Sequence, residues 1–240
     1  MGRLFVAGDL HGSLDIKKLT SKNWKEQRKL TEEDVLVQLG DFGNIWSPET
    51  SRYYGEEMYW RNWLGSKKYT FAFVDGNHEN FHLLNQFPIV EKWGGSVHII
   101  ETDNKPLYHL IRGEVYNING NKCIALGGAE SQDKQYRIEG ISWWRQEVWT
   151  TNEVEYIVNQ IIKHQDIEVV LAHTCPKYVA DIMFDNIFKG NCTTGKDMNQ
   201  LYDLGLKPSQ WHFGHYHQTK EMLIDGVHYI CHYNGEPQEV

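Results

Sequence analysis

Five short clusters in this chain combine residue types that can hold metal ions. They are Gly8-Asp9-Leu10-His11-Gly12, Gly40-Asp41, Gly76-Asn77-His78-Glu79, His173, and Gly214-His215-Tyr216-His217. Carboxylates and neutral imidazoles are hard-to-borderline ligands for divalent cations, and Asn can offer its amide oxygen. Asp9/His11 and His215/His217 are each separated by one residue. On an extended chain, alternate residues face the same side, so each pair could present two ligands to one point. A glycine beside the clusters would let the backbone turn tightly at the ligand. A carboxylate placed between two ions can bridge them, and such a pair binds phosphoryl oxygens and makes hydroxide from water at neutral pH. Singly the motifs are weak: D-x-H-G, G-N-H and G-H-x-H each arise in roughly 5–7% of shuffled chains of this composition, but all three together in on the order of a few per ten thousand.

The order D-x-H, G-D, G-N-H-[ED], a lone His and G-H-x-H resembles the calcineurin-like metallophosphoesterase superfamily, over positions 8 to 217. The resemblance implies two divalent ions (Mn, Fe, Zn or Ni). Asp9, His11 and His217 would hold the first, Asn77, His173 and His215 the second, and Asp41 would bridge them. His78 would be the catalytic residue, a general acid or a stabiliser of transition-state charge near the leaving group, with a metal-bridging hydroxide attacking phosphorus in line. The implied fold is an α/β four-layer α/β/β/α sandwich, two mixed sheets flanked by helices with the metal site at strand ends. The implied activity is hydrolysis of a phosphomonoester or phosphodiester, on a phosphorylated small molecule, a nucleotide or a phosphoprotein. One segment departs from the Ser/Thr protein phosphatases of the superfamily, which carry G-D-x-x-D-R-G. Here it reads Gly40-Asp41-Phe42-Gly43-Asn44-Ile45-Trp46, so Asn44 stands for the second Asp and Ile45 for the phosphate-binding Arg. That counts against a protein phosphatase and requires another phosphate contact. Arg137 is the leading candidate, followed by Lys134, Asn44 and His82.

Two other functions compete. His78-Glu79-Asn80-Phe81-His82 fits the H-E-x-x-H zinc-protease pattern, with His78 and His82 as ligands and Glu79 as base, but leaves the other four clusters unexplained. A binding module that kept the metals and lost catalysis would have no use for His78. Trp143, Trp144 and Trp149 read as core or lid packing rather than a stacking platform.

Positioning these clusters requires strands that end just before them. Leu4-Phe5-Val6-Ala7, Val35 to Leu39, Phe71 to Val74 and Glu168 to Ala172 are apolar runs stopping at Gly8, Gly40, Asp75 and His173. Sites in open α/β sheets form beyond such carboxyl ends. Val154, Ile157, Val158, Ile161 and Ile162 recur at helical spacing, predicting a helix from Glu153 to His164 with Thr150-x-x-Glu153 as a capping box. Val97 to Leu126 holds short strands, and Trp211 to Tyr233 reads as a meander with a turn at Asp225-Gly226. Together these suggest two packed sheets with helices outside, in one domain over 1–240.

Composition narrows the class. The 240 residues include 12 His, five of them in the clusters, and carry a net charge of −8. An acidic chain does not advertise a groove for extended nucleic acid, which disfavours a nuclease. No apolar run approaches the ~20 residues of a membrane span. The amino terminus runs into a strand rather than a signal peptide, and Cys123, Cys175, Cys192 and Cys231 form no C-x-x-C pair. Reduced thiols and a cytoplasmic location are therefore expected. Oligomeric state has no sequence signal.

Overall fold

Apolar runs without polar alternation become strands covered on both faces. In the computed structural model, which describes residues 2–184 and 192–240, β1 (Leu4–Ala7), β2 (Val35–Leu39) and β3 (Thr70–Val74) lie side by side in parallel. β4 (Ile89–Lys92), β5 (Gly95–Ile100) and β6 (Leu107–Leu110) extend this sheet, β6 parallel to β3, β5 antiparallel to β6 and β4 antiparallel to β5. A second sheet contains β7 (Val115–Ile118), β8 (Asn121–Leu126), β9 (Val169–Ala172), β10 (Gln210–Phe213), β11 (Lys220–Ile224) and β12 (Val227–Cys231). Its order is β11-β12-β10-β9-β8-β7, with β12, β10, β9 and β8 parallel. β13 (Gln238–Glu239) returns to the first sheet beside β1.

Strand alternation builds the layers. Leu4, Val6, Val35, Val37 and Ala72 meet Cys123, Ala125, Val169 and Leu171 between the sheets. Phe5, Leu36, Phe71 and Phe73 face out, beneath α1 (Tyr54–Gly65) and the short α2 (Phe81–Leu84). Ile124, Val170 and Trp211 face the opposite way, beneath α3 (Thr151–Lys163), α4 (Lys177–Met183) and α5 (Thr193–Asp203). The architecture is the four-layer α/β/β/α sandwich. No helix among the described residues is long and apolar enough to cross a membrane, and the four cysteines are free and buried.

The expected strands and the Thr150–Glu153 capping box are present. Two local expectations need correction. Ile162 is 60% exposed, whereas Ile157 and Ile161 are buried. Eight residues on from Val154, it lies about 80° around the helix and off the apolar stripe. The carboxyl-terminal strands are not a simple meander. β11 and β12 form the hairpin turning at Asp225-Gly226, but β12 then pairs parallel with β10 and leaves β11 at the edge.

A buried ion pair fastens the sheets at one end. Asp75, just past β3, accepts from Arg112 Nε at 2.8 Å and Nη2 at 2.5 Å, and its other oxygen lies 3.1 Å from His109 Nε2. Arg112 belongs to the connection between the sheets, and the Asp75 carbonyl accepts the Gly128 N–H from beyond β8 at 2.8 Å. Burial alone would raise the Asp75 carboxyl, but Arg112 and His109 outweigh it and hold it below the usual range. Removing one partner strands a buried charge. Arg112→Met is expected to cost about 3–5 kcal/mol, read as a lowered urea midpoint, and Arg112→Met/Asp75→Asn should recover part of that loss.

Candidate metal centre

Parallel strands deliver their carboxyl ends to one edge. Asp9 follows β1, Asp41 follows β2, Asn77 follows β3, His173 follows β9 and His215 follows β10. β8 ends at the same edge and sends out the segment that contains Ser131, Arg137 and Glu147. Because the sheets pack face to face, six neighbouring strand ends converge on one crevice.

The structure brings all seven sequence-predicted ligands to this crevice. Asp9, His11, Asp41 and His217 each offer a ligand atom, all within 4.8 Å of one another. His11 Nε2 is 3.3 Å from Asp41 Oδ2, and His217 Nε2 is 3.3 Å from Asp9 Oδ2. Asp15 Oδ2 lies 3.1 Å from His11 Nδ1. A proton on Nδ1 satisfies that carboxylate and leaves the Nε2 lone pair aimed at the cluster.

A second cluster shares Asp41. His173 Nδ1–H donates to the Leu39 carbonyl at 2.8 Å, so in the neutral ring Nε2 carries a lone pair. That nitrogen lies 3.0 Å from Asn77 Oδ1 and 3.3 Å from Asp41 Oδ1. In that neutral form three lone-pair atoms converge on one point, an arrangement that suits a cation. The His215 ring stands edge-on to His173 with centroids 5.0 Å apart. Burial, then the nearby His173, pushes its imidazole down to about 3, which keeps it neutral and able to ligate. The two oxygens of Asp41 thus face different groups of donors, and these residue types fit divalent cations.

The backbone achieves this differently from the extended-chain account. His11, Asp41, His215 and His217 have φ of 46°, 55°, 67° and 50°, the left-handed region that side chains rarely occupy. The paired ligands meet because the chain curls, not because residues alternate. Nor do all the glycines make the turns. Gly76 and Gly214 lack a positive φ; a Cβ on Gly76 would overlap Asp41, and one on Gly214 would overlap Asp9. They are spaces into which the next ligand packs.

His78 sits at the mouth. Its N–H donates to Asp41 Oδ1 at 2.8 Å, and its ring is edge-on to His11. Arg137 Nη1 and Nη2 lie 3.3 and 3.1 Å from the two His78 ring nitrogens. Those nitrogens point apart, so the guanidinium lies over the ring face. It also pairs with Asp133 at 2.8 Å. Burial lowers the His78 pKa; Asp41 pulls it up, but Arg137 and neighbouring histidines keep it below the ordinary value.

The other candidates lie elsewhere. Lys134 pairs with Glu130. Asn44 is buried and donates to the Phe42 carbonyl in its own turn at 3.3 Å, although it lines a cavity beside His11. The protease arrangement is absent. His78 and Glu79 precede α2, and His82 is exposed beside Trp144. Glu79 is buried and accepts the Phe42 N–H at 2.6 Å; burial, then Asp41, raises its carboxyl well above the usual range. Trp144 packs on Trp46, and Trp149 Nε1 donates to the Gly127 carbonyl at 2.7 Å. Sequence reasoning missed Asp15, Ser131, Glu147 and Tyr233, whose ring stacks on His217 at 4.6 Å. Asp15 had a usable signal, four residues beyond His11; the others had none nearby.

The sequence profile described as calcineurin-like phosphoesterase matches residues 2–219. Among curated proteins, the lariat debranching enzyme of Schizosaccharomyces pombe is 24% identical over 232 residues, covering 90% of this chain and 48% of that protein. The chain therefore spans about half the length of that relative. Among solved structures, GAP50, the anchor in the inner membrane complex of Plasmodium, matches with TM-score 0.54 and 12% identity over 97% of this chain and 71% of its own. The phosphopantetheinyl hydrolase of Mycobacterium tuberculosis aligns over 100% of this chain and 95% of that one, with TM-score 0.48 and 14% identity. At such identity the structural likeness bears on fold alone.

The carboxylates predict how a cation competes with protons. Burial opposes charge on His11, but its hydrogen bond to Asp41 and the Asp9 and Asp15 carboxylates push its pKa up to about 9. An ion binding there must displace that proton, so affinity should rise with pH until about 9 and level off above. Between about pH 7 and 8.5, Kd for Mn²⁺ is expected to fall by up to about tenfold per unit. Calorimetry in buffers of different ionisation enthalpy counts the released proton; a flat Kd contradicts a cation at His11.

Proposed function

The chain belongs to the calcineurin-like phosphoesterase family, and from that premise we propose that it hydrolyses a phosphoester using two divalent cations. Asp9, His11 and His217 hold one, Asn77, His173 and His215 the other, and Asp41 both. The observation carrying this reading is the split of Asp41, one oxygen 3.3 Å from His11 and the other 3.3 Å from His173. When bound, the ions supply Lewis acidity for the phosphoryl oxygens and a nucleophile from water.

The chain's own groups do the rest. Arg137, paired with Asp133 at the mouth, replaces the phosphate contact that Ile45, buried in the core, cannot make. His78 is the catalytic residue. Its lowered pKa favours a neutral imidazole whose N–H donates to the leaving oxygen, over a standing imidazolium. Beside His11 a cavity of about 320 Å³ is lined by Trp46, Tyr53, Trp60 and Glu56, with no Lys or Arg. It suits the organic part of a substrate and repels a second phosphate, which speaks for a small ester over an acidic phosphoprotein or an extended nucleic acid. GAP50 is described as an anchor, but a purely binding role leaves the Arg137–His78 contact without purpose.

Metal analysis of Mn²⁺-loaded protein should find two ions per chain, with hydrolysis of p-nitrophenyl phosphate or its bis ester. Asp41→Asn should lose both ions and activity. His78→Ala should keep both ions and slow turnover about 10²–10⁴-fold. Arg137→Ala should raise KM about tenfold or more. A wild-type chain that binds one ion or none and hydrolyses neither ester would overturn the proposal.

For the cavity, Trp60→Ala should raise KM for an aryl phosphate several-fold and leave that for methyl phosphate unchanged. Equal effects on both would exclude the cavity from substrate binding.

A further inference from the structure

We propose that Glu147 is a positioning residue, acting through Ser131 to turn the Asn77 amide so that its oxygen faces the second ion; this rests on the two-ion reading. An amide has an oxygen at one end and an NH₂ at the other, nearly equal in shape. Only the oxygen can take a cation, so something must fix which end points inward. In the structure, Asn77 Nδ2 donates to Ser131 Oγ at 3.0 Å. A hydroxyl accepts in that way when its own proton is committed elsewhere. Ser131 Oγ–H donates to Glu147 Oε2 at 2.6 Å, and Ser131 N–H donates to Glu147 Oε1 at 2.8 Å. One serine donates to both carboxylate oxygens, and although burial raises the Glu147 carboxyl, those two donors favour its ionised form, which has no proton to return. The donor direction therefore runs from Asn77 through Ser131 to Glu147, leaving Asn77 Oδ1 facing His173 Nε2 at 3.0 Å. Asn77, Ser131 and Glu147 are 5%, 2% and 0% exposed, so bulk water does not offer the amide a substitute partner.

The same pair closes the segment bearing Arg137. Ser131 stands at its start and Glu147 at its end, so the contacts that orient Asn77 also draw the two ends of the Arg137 loop together. The placement of Arg137 over His78 and the orientation of a second-ion ligand share one anchor.

The test is Glu147→Gln, which keeps the shape and supplies one NH₂ in place of an oxygen. With its oxygen on Ser131 N–H, its NH₂ meets Ser131 Oγ. The serine proton then turns to Asn77, whose oxygen rotates toward Ser131 and whose NH₂ faces the cation. Calorimetric titration with Mn²⁺ should show the first ion bound as in wild type and the second weakened about 10–100-fold. Ser131→Ala, which leaves the amide free to turn either way, should weaken the second ion by less. Adding Asn77→Asp to Glu147→Gln should restore the second ion, because a carboxylate presents oxygen on both sides. Urea midpoints of the metal-free chains check that the variants fold. Wild-type affinity for both ions in Glu147→Gln, or no recovery with Asn77→Asp, would overturn the assignment of Glu147 and leave the two-ion reading standing. A wild-type chain with a single ion would overturn both.

Discussion

The site depends on one buried carboxylate. Asp41 is 2% exposed, and burial, which would raise its carboxyl, is outweighed by the His173, His11 and His78 neighbours that hold it below the usual range. A carboxylate removed from water is costly unless positive charge or donors surround it on every side. Its surroundings come from separate strands: His11 beyond β1, His78 beyond β3 and His173 beyond β9. Its backbone carbonyl also receives the Leu10 and His11 N–H groups at 3.2 and 2.8 Å. Satisfying this one charge therefore fixes where three loops and both sheets stand relative to one another.

The layered fold makes that arrangement affordable. Small and branched residues between the sheets let β2 and β9 approach, while aromatic residues fill the outer layers. The Asp75–Arg112 pair clamps the same end of the sandwich. Four candidate ligands in left-handed conformations cost on the order of 1–3 kcal/mol each, and only a surround this rigid holds them there. Asp15 behind His11, the Leu39 carbonyl behind His173 and Ser131 behind Asn77 each set the face that a ligand turns inward.

Much of this was legible in the sequence because the candidate ligands belong to short motifs placed just after apolar runs. Asp9, His11, Asp41, Asn77, His173, His215 and His217 could be named as candidates from their residue types and the family resemblance of their order, and the strands before them from patterning. The illegible part consists of ordinary residues whose meaning is their partner. Ser131 lies 54 residues from Asn77, and although Arg137 stood out as a phosphate contact, its place over His78, 59 residues away, did not. Glu147 is one Glu among many until the loop folds back. The H-E-x-x-H match at His78–His82 shows the converse, since a motif has content only on the element it presupposes and the helix begins after its first three residues. The parallel entry of β12 beside β10 was equally invisible, because local patterning predicts strands and not their neighbours.

The glycines under the ligands separate two kinds of constraint. Gly76 and Gly214 are required by volume: Asp41 and Asp9 occupy the space a methyl group would fill, whatever the crevice is used for. A descendant that abandoned hydrolysis but retained the fold would still need both. Arg137 is in the opposite position, held at the mouth by side-chain contacts with His78 and Asp133. Drift in such a lineage would erase the arginine early and the glycines late. The presence of the glycines thus testifies to architecture, whereas that of the arginine bears only on the chemistry proposed for the crevice.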